Sequence, residues 1–207
     1  MNNNNTDTKA FCTKYTGCFN SQENIKYISD IEFSSWVKKS YKAPSSFLKS
    51  IENAEFKDGE IFKLRNINSG LYMQVEGGAA ENGTKLQQWA TLDGTTHDLW
   101  KIKKADKGFY YLYSGVGDGN TFVLDVTGKN TANGTTLEIN QFSGEDSQQF
   151  SIVDNNNGSY IIKSKITDNI SCVEIKDGGL QSGDKVQQWE FSGLQWQNWE
   201  FEPRQLL

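Results

Sequence analysis

The chain has 207 residues, enough for one domain of ordinary size with an extension or for two small domains. Its formal net charge of −5 argues against nucleic acid as a partner, because nucleic-acid binding depends on clustered lysine and arginine. No stretch approaches the roughly 18 apolar residues of a membrane helix, so membrane insertion is not expected. Aromatic residues make up 13% of the chain, beside 19 glycines and two prolines, a composition typical of short strands joined by tight turns.

The first 55 residues differ from the rest and predict an N-terminal extension. Its asparagine-rich start predicts disorder and has neither the basic nor the apolar region of a secretory signal peptide. The capping-box spacing of Ser29 and Glu32, and Pro44 at the start of an apolar segment, predict two short helices. Cys12 and Cys18 either close a small loop or remain free thiols.

The remaining residues, 56–207, repeat a pattern of about 50 residues three times, with approximate boundaries at 56–106, 107–157 and 158–207. A turn glycine recurs at intervals of 51 and 49 residues, at Gly83, Gly134 and Gly183. A closing aromatic recurs at intervals of 50 and 49 residues, at Trp100, Phe150 and Trp199, and these three rings are expected in the core. The phrase Gln-Gln-Trp ends at Trp89 and again at Trp189.

Each repeat predicts four short strands in chain order. An opening strand is followed by a second strand, an Asn-Gly or Ser-Gly turn, a third strand and a fourth strand that carries the closing aromatic. A single repeat cannot cover its own apolar face, whereas three repeats around an axis close a barrel without exposed edges. The sequence therefore predicts an all-β fold, a β-trefoil of about twelve strands.

The Q-x-W motifs that end repeats of this length resemble those of the ricin B-type lectins and the family 13 carbohydrate-binding modules. The resemblance covers about residues 56–205 and implies one sugar site in each repeat. In that family an acidic residue accepts hydrogen bonds from two sugar hydroxyls, a glutamine orients it, and an aromatic ring forms a platform for the sugar. The resemblance also implies a protein outside the cell or on its surface.

Carried over residue by residue, the resemblance gives a third-repeat site made of five residues. Glu174 takes the acidic position, with Trp189 as the platform and Gln197 as the orienting residue. Trp196 takes the neighbouring polar-contact position and Gln187 adds a hydrogen-bonding group. Glu174 departs from the usual aspartate, and its extra methylene moves the carboxylate.

The second-repeat site has the usual acid, Asp125, with Gln148 as the orienting residue. Asn140 stands where the platform aromatic is expected. A sugar would then have to stack on Phe142 or Tyr160.

The first-repeat site has Trp89 as platform and Gln87 beside it, while Gln74 and Asp98 hold the acidic and orienting positions. Carboxylate and amide are therefore exchanged; the two side chains can still bond to each other, but the group that faces the sugar changes. His97 takes the polar-contact position.

Catalysis is not expected, because the candidate acids lie one to a repeat whereas glycoside hydrolysis needs two carboxylates at one bond. No cofactor or metal is expected, since the chain has a single histidine and no phosphate-binding motif. We therefore expect a carbohydrate-binding protein, bacterial from its asparagine and lysine usage, that recognises a polysaccharide or surface glycan for itself or for a partner enzyme or toxin component. Two alternatives are a protein-interaction trefoil and a targeting domain for a toxin-like N-terminal segment.

Overall fold

The computed structural model describes residues 55–91 and 94–204, and the predicted N-terminal helices, Cys12 and Cys18 lie outside them. The described residues form twelve strands: β1 (Ile61–Asn66), β2 (Tyr72–Val75), β3 (Thr84–Trp89), β4 (Leu99–Lys104), β5 (Phe109–Ser114), β6 (Phe122–Val126), β7 (Leu137–Gln141), β8 (Phe150–Asp154), β9 (Tyr160–Ser164), β10 (Ser171–Ile175), β11 (Val186–Glu190) and β12 (Trp199–Pro203). The prediction of an all-β trefoil with four strands in each of three repeats is confirmed. The helical segments described are 3-10 turns of three residues, and none is long and apolar enough to cross a membrane.

Six of the strands close a barrel through antiparallel pairing. The ring runs β1, β4, β5, β8, β9 and β12, and β12 returns to pair with β1 over five residues. The other six strands form three hairpins, β2–β3, β6–β7 and β10–β11, one from each repeat. Because the ring is closed, none of its strands leaves an unpaired edge.

The three hairpins are linked to one another in a cycle at one end of the barrel. The turn glycine of each repeat donates its backbone N–H to a carbonyl on the third strand of a neighbouring repeat. The distances are 2.9 Å each for Gly83 to Ile139, Gly134 to Gln188 and Gly183 to Gln88. Each of these glycines has a positive φ, between 82° and 95°, which explains why glycine recurs at this position. Each repeat therefore supplies a backbone hydrogen bond to the third strand of a neighbouring repeat.

The core is built from layers that take one residue from each repeat. The closing aromatics Trp100, Phe150 and Trp199 are fully buried, as predicted. The indole N–H groups of the two tryptophans donate to backbone carbonyls inside their own repeats, Trp100 to Met73 at 3.0 Å and Trp199 to Val173 at 2.9 Å. Burial therefore leaves neither indole nitrogen without a partner.

The open end of the barrel is filled by an aromatic cluster around Phe56, which lies just before β1. The Phe56 ring is 6% exposed and lies 4.9–5.9 Å from the ring centroids of Phe62, Tyr110, Tyr160 and Phe201. Burying a phenylalanine side chain contributes about 1.5–3 kcal/mol. Phe56 is thus an element of the fold that lies outside the repeat pattern.

Candidate functional site

The third-repeat site is organised around the carboxylate of Glu174. The β10–β11 register sets Glu174 opposite Gln187, and the glutamine Nε2 donates to Glu174 Oε1 at 2.9 Å. Gln197, which precedes β12, donates from its Nε2 to Glu174 Oε2 at 2.8 Å. The glutamate is 4% exposed. The structure therefore brings the acidic residue and both glutamines together, with one amide on each carboxylate oxygen.

Gln197 is itself fixed by the loop that connects β11 to β12. Its Oε1 accepts the backbone N–H groups of Ser192 at 2.9 Å and Gly193 at 3.1 Å. Its Nε2 also donates to the carbonyl of Glu190 at 3.1 Å. The amide is consequently held with its nitrogen toward Glu174, and the loop rather than the carboxylate sets its orientation.

Trp196 covers one side of this site. Its ring lies against Gly178, where an added Cβ would come within 2.7 Å of the indole and where φ is +64°. Its side chain also lies close enough to Glu174 to lower the pKa of that carboxyl, and indole can only donate hydrogen bonds. Glycine at position 178 therefore allows an aromatic donor to approach the carboxylate closely.

Trp189 lies two residues beyond Gln187 on β11, on the same face of the strand. It is 42% exposed, and a Cβ on Gly134 would lie 3.5 Å from its ring. The ring thus rests on the turn of the second repeat and keeps much of its surface in solvent.

Burial raises the pKa of Glu174, and the hydrogen bonds from Gln187 and Gln197 only partly oppose this effect. The nearby carboxylate of Asp177 raises it further. Further hydrogen-bond donors would therefore stabilise the charged form of Glu174.

The second-repeat site has the same frame but different chemistry. Gln148 Nε2 donates to Asp125 Oδ2 at 3.0 Å, and Asn140 Nδ2 donates to the same oxygen at 3.1 Å. Asn140 Oδ1 accepts the backbone N–H of Gly83 at 3.0 Å. The platform position is thus occupied by an amide that joins two repeats, and Asp125 Oδ1 has no hydrogen-bond partner among the described residues.

Glu138, which the sequence analysis did not single out, occupies the position of Gln187 in this repeat. It pairs with Lys85 and accepts hydrogen bonds from Thr127 at 3.0 Å and Asn140 at 2.9 Å. Burial raises the pKa of Glu138, but the bonds from Lys85, Asn140 and Thr127 outweigh it and leave the pKa below its ordinary value. Glu138 therefore stays ionised, and its donors come from within the protein.

Of the two stacking candidates for the second repeat, Tyr160 is wrong. It packs in the aromatic cluster that fills the open end of the barrel, with its ring centroid 5.4 Å from that of Phe56 and 5.1 Å from that of Phe201. Phe142 is 47% exposed and contacts the rings of Tyr111 and Tyr113 at 4.9 and 5.7 Å. Tyr160 begins β9, a barrel strand, whereas Asp125 lies on β6 of a hairpin. The number of residues between them therefore did not indicate how far apart they lie.

In the first-repeat site, Gln74 and Asp98 do not bond to each other. Asp98 Oδ2 instead accepts from Thr91 Oγ1 at 2.8 Å and pairs with Lys63 Nζ at 3.0 Å. Gln74 and Gln87 face each other in register, are 4% and 8% exposed, and have no side-chain partner in the described part of the chain. Lys63 offers Asp98 a charge, which an amide cannot match.

The remaining first-repeat residues mirror the third repeat. His97 lies against Gly78, where a Cβ would come within 2.1 Å of the imidazole, just as Trp196 lies against Gly178. Trp89 is 38% exposed and rests on Gly183 of the third repeat. The frame is therefore kept, while the charged acid is replaced by an uncharged amide.

The middle glutamine of each Gln-Gln-Trp phrase has a structural role that the sequence analysis missed. Gln88 and Gln188 are fully buried and bond to backbone carbonyls of a neighbouring repeat, Gln88 to Gly179 at 2.9 Å and Gln188 to Asn130 at 2.7 Å. The occurrence of the same glutamine in both Gln-Gln-Trp motifs was the feature of the sequence that could have indicated this role.

Solved structures share this fold. The designed three-fold symmetric protein ThreeFoil has a TM-score of 0.63 and 24% identity, over 69% of this chain and 97% of that chain. The Rhizoctonia solani agglutinin has a TM-score of 0.62 and 18% identity, over 73% and 99%. The Macrolepiota procera ricin B-like lectin, solved in complex with lactose, has a TM-score of 0.56 and 17% identity, over 72% and 99%.

No curated protein matches this sequence. The family of ricin-type β-trefoil lectin domain-like proteins matches residues 52–140 and 115–189, which together make up more than half of the chain. With the twelve-stranded trefoil, this match establishes that the chain belongs to the ricin-type β-trefoil lectin domain-like family.

Proposed function

We propose that the protein is a non-catalytic carbohydrate-binding protein whose principal site is the third-repeat site. The observation that carries the proposal is the Glu174 carboxylate, held by Gln187 and Gln197 on the same face as the exposed ring of Trp189. Its ligand is a polysaccharide or a surface glycan. The lactose complex of the Macrolepiota procera lectin, a protein of the same fold, supports this ligand class.

The arrangement matches the two kinds of surface on a sugar ring. A carboxylate has about four lone-pair positions, so the amides leave room for hydroxyl donors on both oxygens of Glu174. Hydrogen bonds to an ionised acceptor are the stronger kind. The aromatic face of Trp189 would cover the C–H face of the same sugar.

Up to three shallow sites are proposed, and each is weak by itself. A site of this kind binds in the range of about 0.1–1 mM, or roughly −4 to −5 kcal/mol. Several sites on one rigid body engage a polymer together, which raises the apparent affinity by orders of magnitude. The first-repeat site contributes Trp89 and the amides of Gln74 and Gln87, which have no side-chain partner within residues 55–91 and 94–204.

The lowered pKa of Glu138 argues against acid catalysis in the second-repeat site, and this supports a non-catalytic role. In the second-repeat site Asn140 Nδ2 donates to both Asp125 and Glu138, so these two carboxylates lie close together. Glycoside hydrolysis needs one carboxyl group kept protonated by a raised pKa. Glu138 has a lowered pKa, which makes it a poor acid.

The proposed ligand also indicates where the protein acts. Surface glycans lie outside cells, so we infer that the protein acts in the extracellular space or at a cell surface. Its asparagine and lysine usage favours a bacterial source. A partner enzyme or toxin component that the protein directs to its glycan would fit the same chemistry. The net charge of −5 disfavours nucleic acid as an alternative ligand.

The test is affinity electrophoresis of the whole protein in gels that contain soluble plant, fungal or animal polysaccharides. We expect retardation by at least one glycan and its loss in E174Q. In that variant Gln197 can still donate to the new carbonyl oxygen, and Gln187 can turn to accept from the new amide, so the fold keeps its bonds.

E81Q removes one carboxylate from an exposed position and serves as the control. Retardation that survives in E174Q would show that sugar binding lies in another repeat. No retardation of the wild-type protein by any glycan would contradict carbohydrate binding and favour a protein-interaction trefoil.

A further inference from the structure

The face that carries the third-repeat site extends beyond Trp189 to a lysine. Lys163 on β9 is in register with Cys172 on β10, and Cys172 is in register with Trp189 on β11. Residues in register lie on the same face of a sheet. The Lys163 side chain therefore leaves the sheet on the sugar side, with the buried Cys172 between it and Trp189.

A second exposed ring lies under this lysine. The backbone N–H of Phe191 donates to the carbonyl of Ile170 at 3.1 Å, which continues the β10–β11 ladder past the end of β11. Phe191 is 36% exposed, and the Lys163 Nζ lies 5.6 Å from its ring centroid. Positions two apart on a strand are about 6–7 Å apart, so Trp189 and Phe191 form a short row of two rings.

No carboxylate among residues 55–91 and 94–204 forms an ion pair with Lys163, whose ammonium group makes a cation–π contact with Phe191. The equivalent position of the first repeat holds Arg65, which is in register with Tyr72 and pairs with both Glu200 and Glu202. In the second repeat this position holds the uncharged Tyr113. Among the described residues, the third repeat is therefore the one that holds an unpaired cation at this register position, whereas the second repeat has Lys101 and Lys103 over the ring of Tyr113.

We propose that the third-repeat site prefers a glycan that carries an anionic group one sugar unit away from the sugar on Trp189, with Lys163 pairing with that group and Phe191 supporting the charged sugar. This rests on the proposed carbohydrate-binding function and specifies its ligand class. The anion is a carboxylate, as in uronic-acid polymers, or a sulfate, and both offer oxygens to an ammonium group. Because the pair is partly exposed, salt weakens it.

The experiment compares each acidic polysaccharide with its own uncharged form. Alginate, polygalacturonate and hyaluronan are used before and after chemical reduction of their carboxyl groups, and carboxyl-reduced chondroitin sulfate is used before and after removal of its sulfates. Retention of the whole protein is measured by affinity electrophoresis at two salt concentrations. Neutral plant and fungal glucans and galactans run in parallel and report on carbohydrate binding as such.

We expect stronger retention by a charged polymer than by its uncharged form, a preference that falls as salt rises, and a loss of about fivefold in K163Q, the size of one partly exposed ion pair. K103Q is the matched control, because Lys103 also lies over an aromatic ring, Tyr113, at 5.0 Å. It removes the same charge from the second repeat and should keep the preference. Thermal unfolding of both variants reports any loss of fold.

Equal retention by charged and uncharged forms would overturn the anionic preference and leave the proposed function standing. Equal losses in K163Q and K103Q would also overturn it, since they would reflect net charge alone. No retention by acidic or neutral polymers would overturn both proposals. The carboxylate and sulfate arms separately identify the source of the anion.

Discussion

The second and third repeats hold the same backbone frame, yet their polar groups are used in different ways. In the third repeat each oxygen of Glu174 accepts one amide, and the platform ring of Trp189 is 42% exposed. In the second repeat Asn140 replaces the ring and bonds to Asp125, Glu138 and the backbone of Gly83. The polar groups at equivalent positions can thus be available to a ligand in one repeat and bonded to a neighbouring repeat in another.

The difference arises from two positions on the third strand of each repeat. Gln187 and Trp189 in one repeat correspond to Glu138 and Asn140 in the other. The extra carboxylate of Glu138 pairs with Lys85 of the first repeat. The Asn140 amide oxygen accepts the backbone N–H of Gly83, which an indole cannot do because it only donates. The comparison indicates that site chemistry can change while the trefoil frame stays fixed.

The largest effect should come from the layer that both repeats share. W199A and F150A each leave a cavity at a fully buried position, and we expect each to lower the free energy of unfolding by about 3–5 kcal/mol. Urea denaturation would measure this. A much smaller cost for F150A would mean that the second repeat is less tightly packed than the third and that the shared frame is not equivalent.

A smaller loss in the free energy of unfolding is expected when the ion pair between Lys85 and Glu138 is broken. K85M removes the partner of Glu138, and because Lys85 is about one-third exposed, solvent screening limits the expected loss to about 1–2 kcal/mol. The loss should shrink as the pH falls below 4.5, because the lowered pKa of Glu138 gives stability that is present above its unfolded pKa and lost on protonation.

K185M removes a more exposed pair, with Glu76, and serves as the control for K85M. Its expected cost is below about 0.5 kcal/mol in the same denaturation experiment. Equal losses in the two variants would mean that Glu138 does not need Lys85.

The second-repeat site should become more like the third when its two distinctive residues are exchanged. E138Q with N140W adds an amide and an aromatic ring, and the ring should strengthen glycan binding by about 0.5–1.5 kcal/mol. Isothermal titration with a glycan that the wild-type protein binds would measure the gain. E138Q with N140A breaks the same bonds without adding a ring, so an equal gain there would rule out stacking as the cause.

The smallest effect concerns pH. As the pH falls through the raised pKa of Glu174, above its ordinary 4.5, the carboxylate gains a proton and glycan binding should weaken by about threefold. Stability has the opposite sign, since a raised pKa means that the folded protein binds this proton more tightly and is favoured at low pH. E174Q should bind weakly at every pH, and a pH dependence that persists in it would implicate another group.

The architecture was predictable because it depends on periodic signals. Turn glycines such as Gly83 and closing aromatics such as Trp100 recur wherever the backbone needs a positive φ or the core needs a large ring. The position of Gln197 against Glu174 also followed the family resemblance, since the spacing of the motif brings the two together. The pairing of Asp98 with Lys63 did not, because β1 and the loop before β4 are joined only by the barrel.

By itself, the sequence determined the trefoil, its three repeats and the third-repeat residues that surround Glu174. Local periodicity encodes the trefoil and its repeats, because each repeat must bury the same apolar positions and close the same turns, whereas the family resemblance supplied the third-repeat residues. Only the tertiary structure decided which polar groups are already satisfied. Lys85 reaches Glu138, Asn140 reaches Gly83 and Lys163 lies over Phe191, and each of these contacts joins residues that are distant in the chain or on different strands. Whether a side chain is left for a ligand depends on these neighbours, which come from another repeat for Glu138 and Asn140 and from another strand for Lys163.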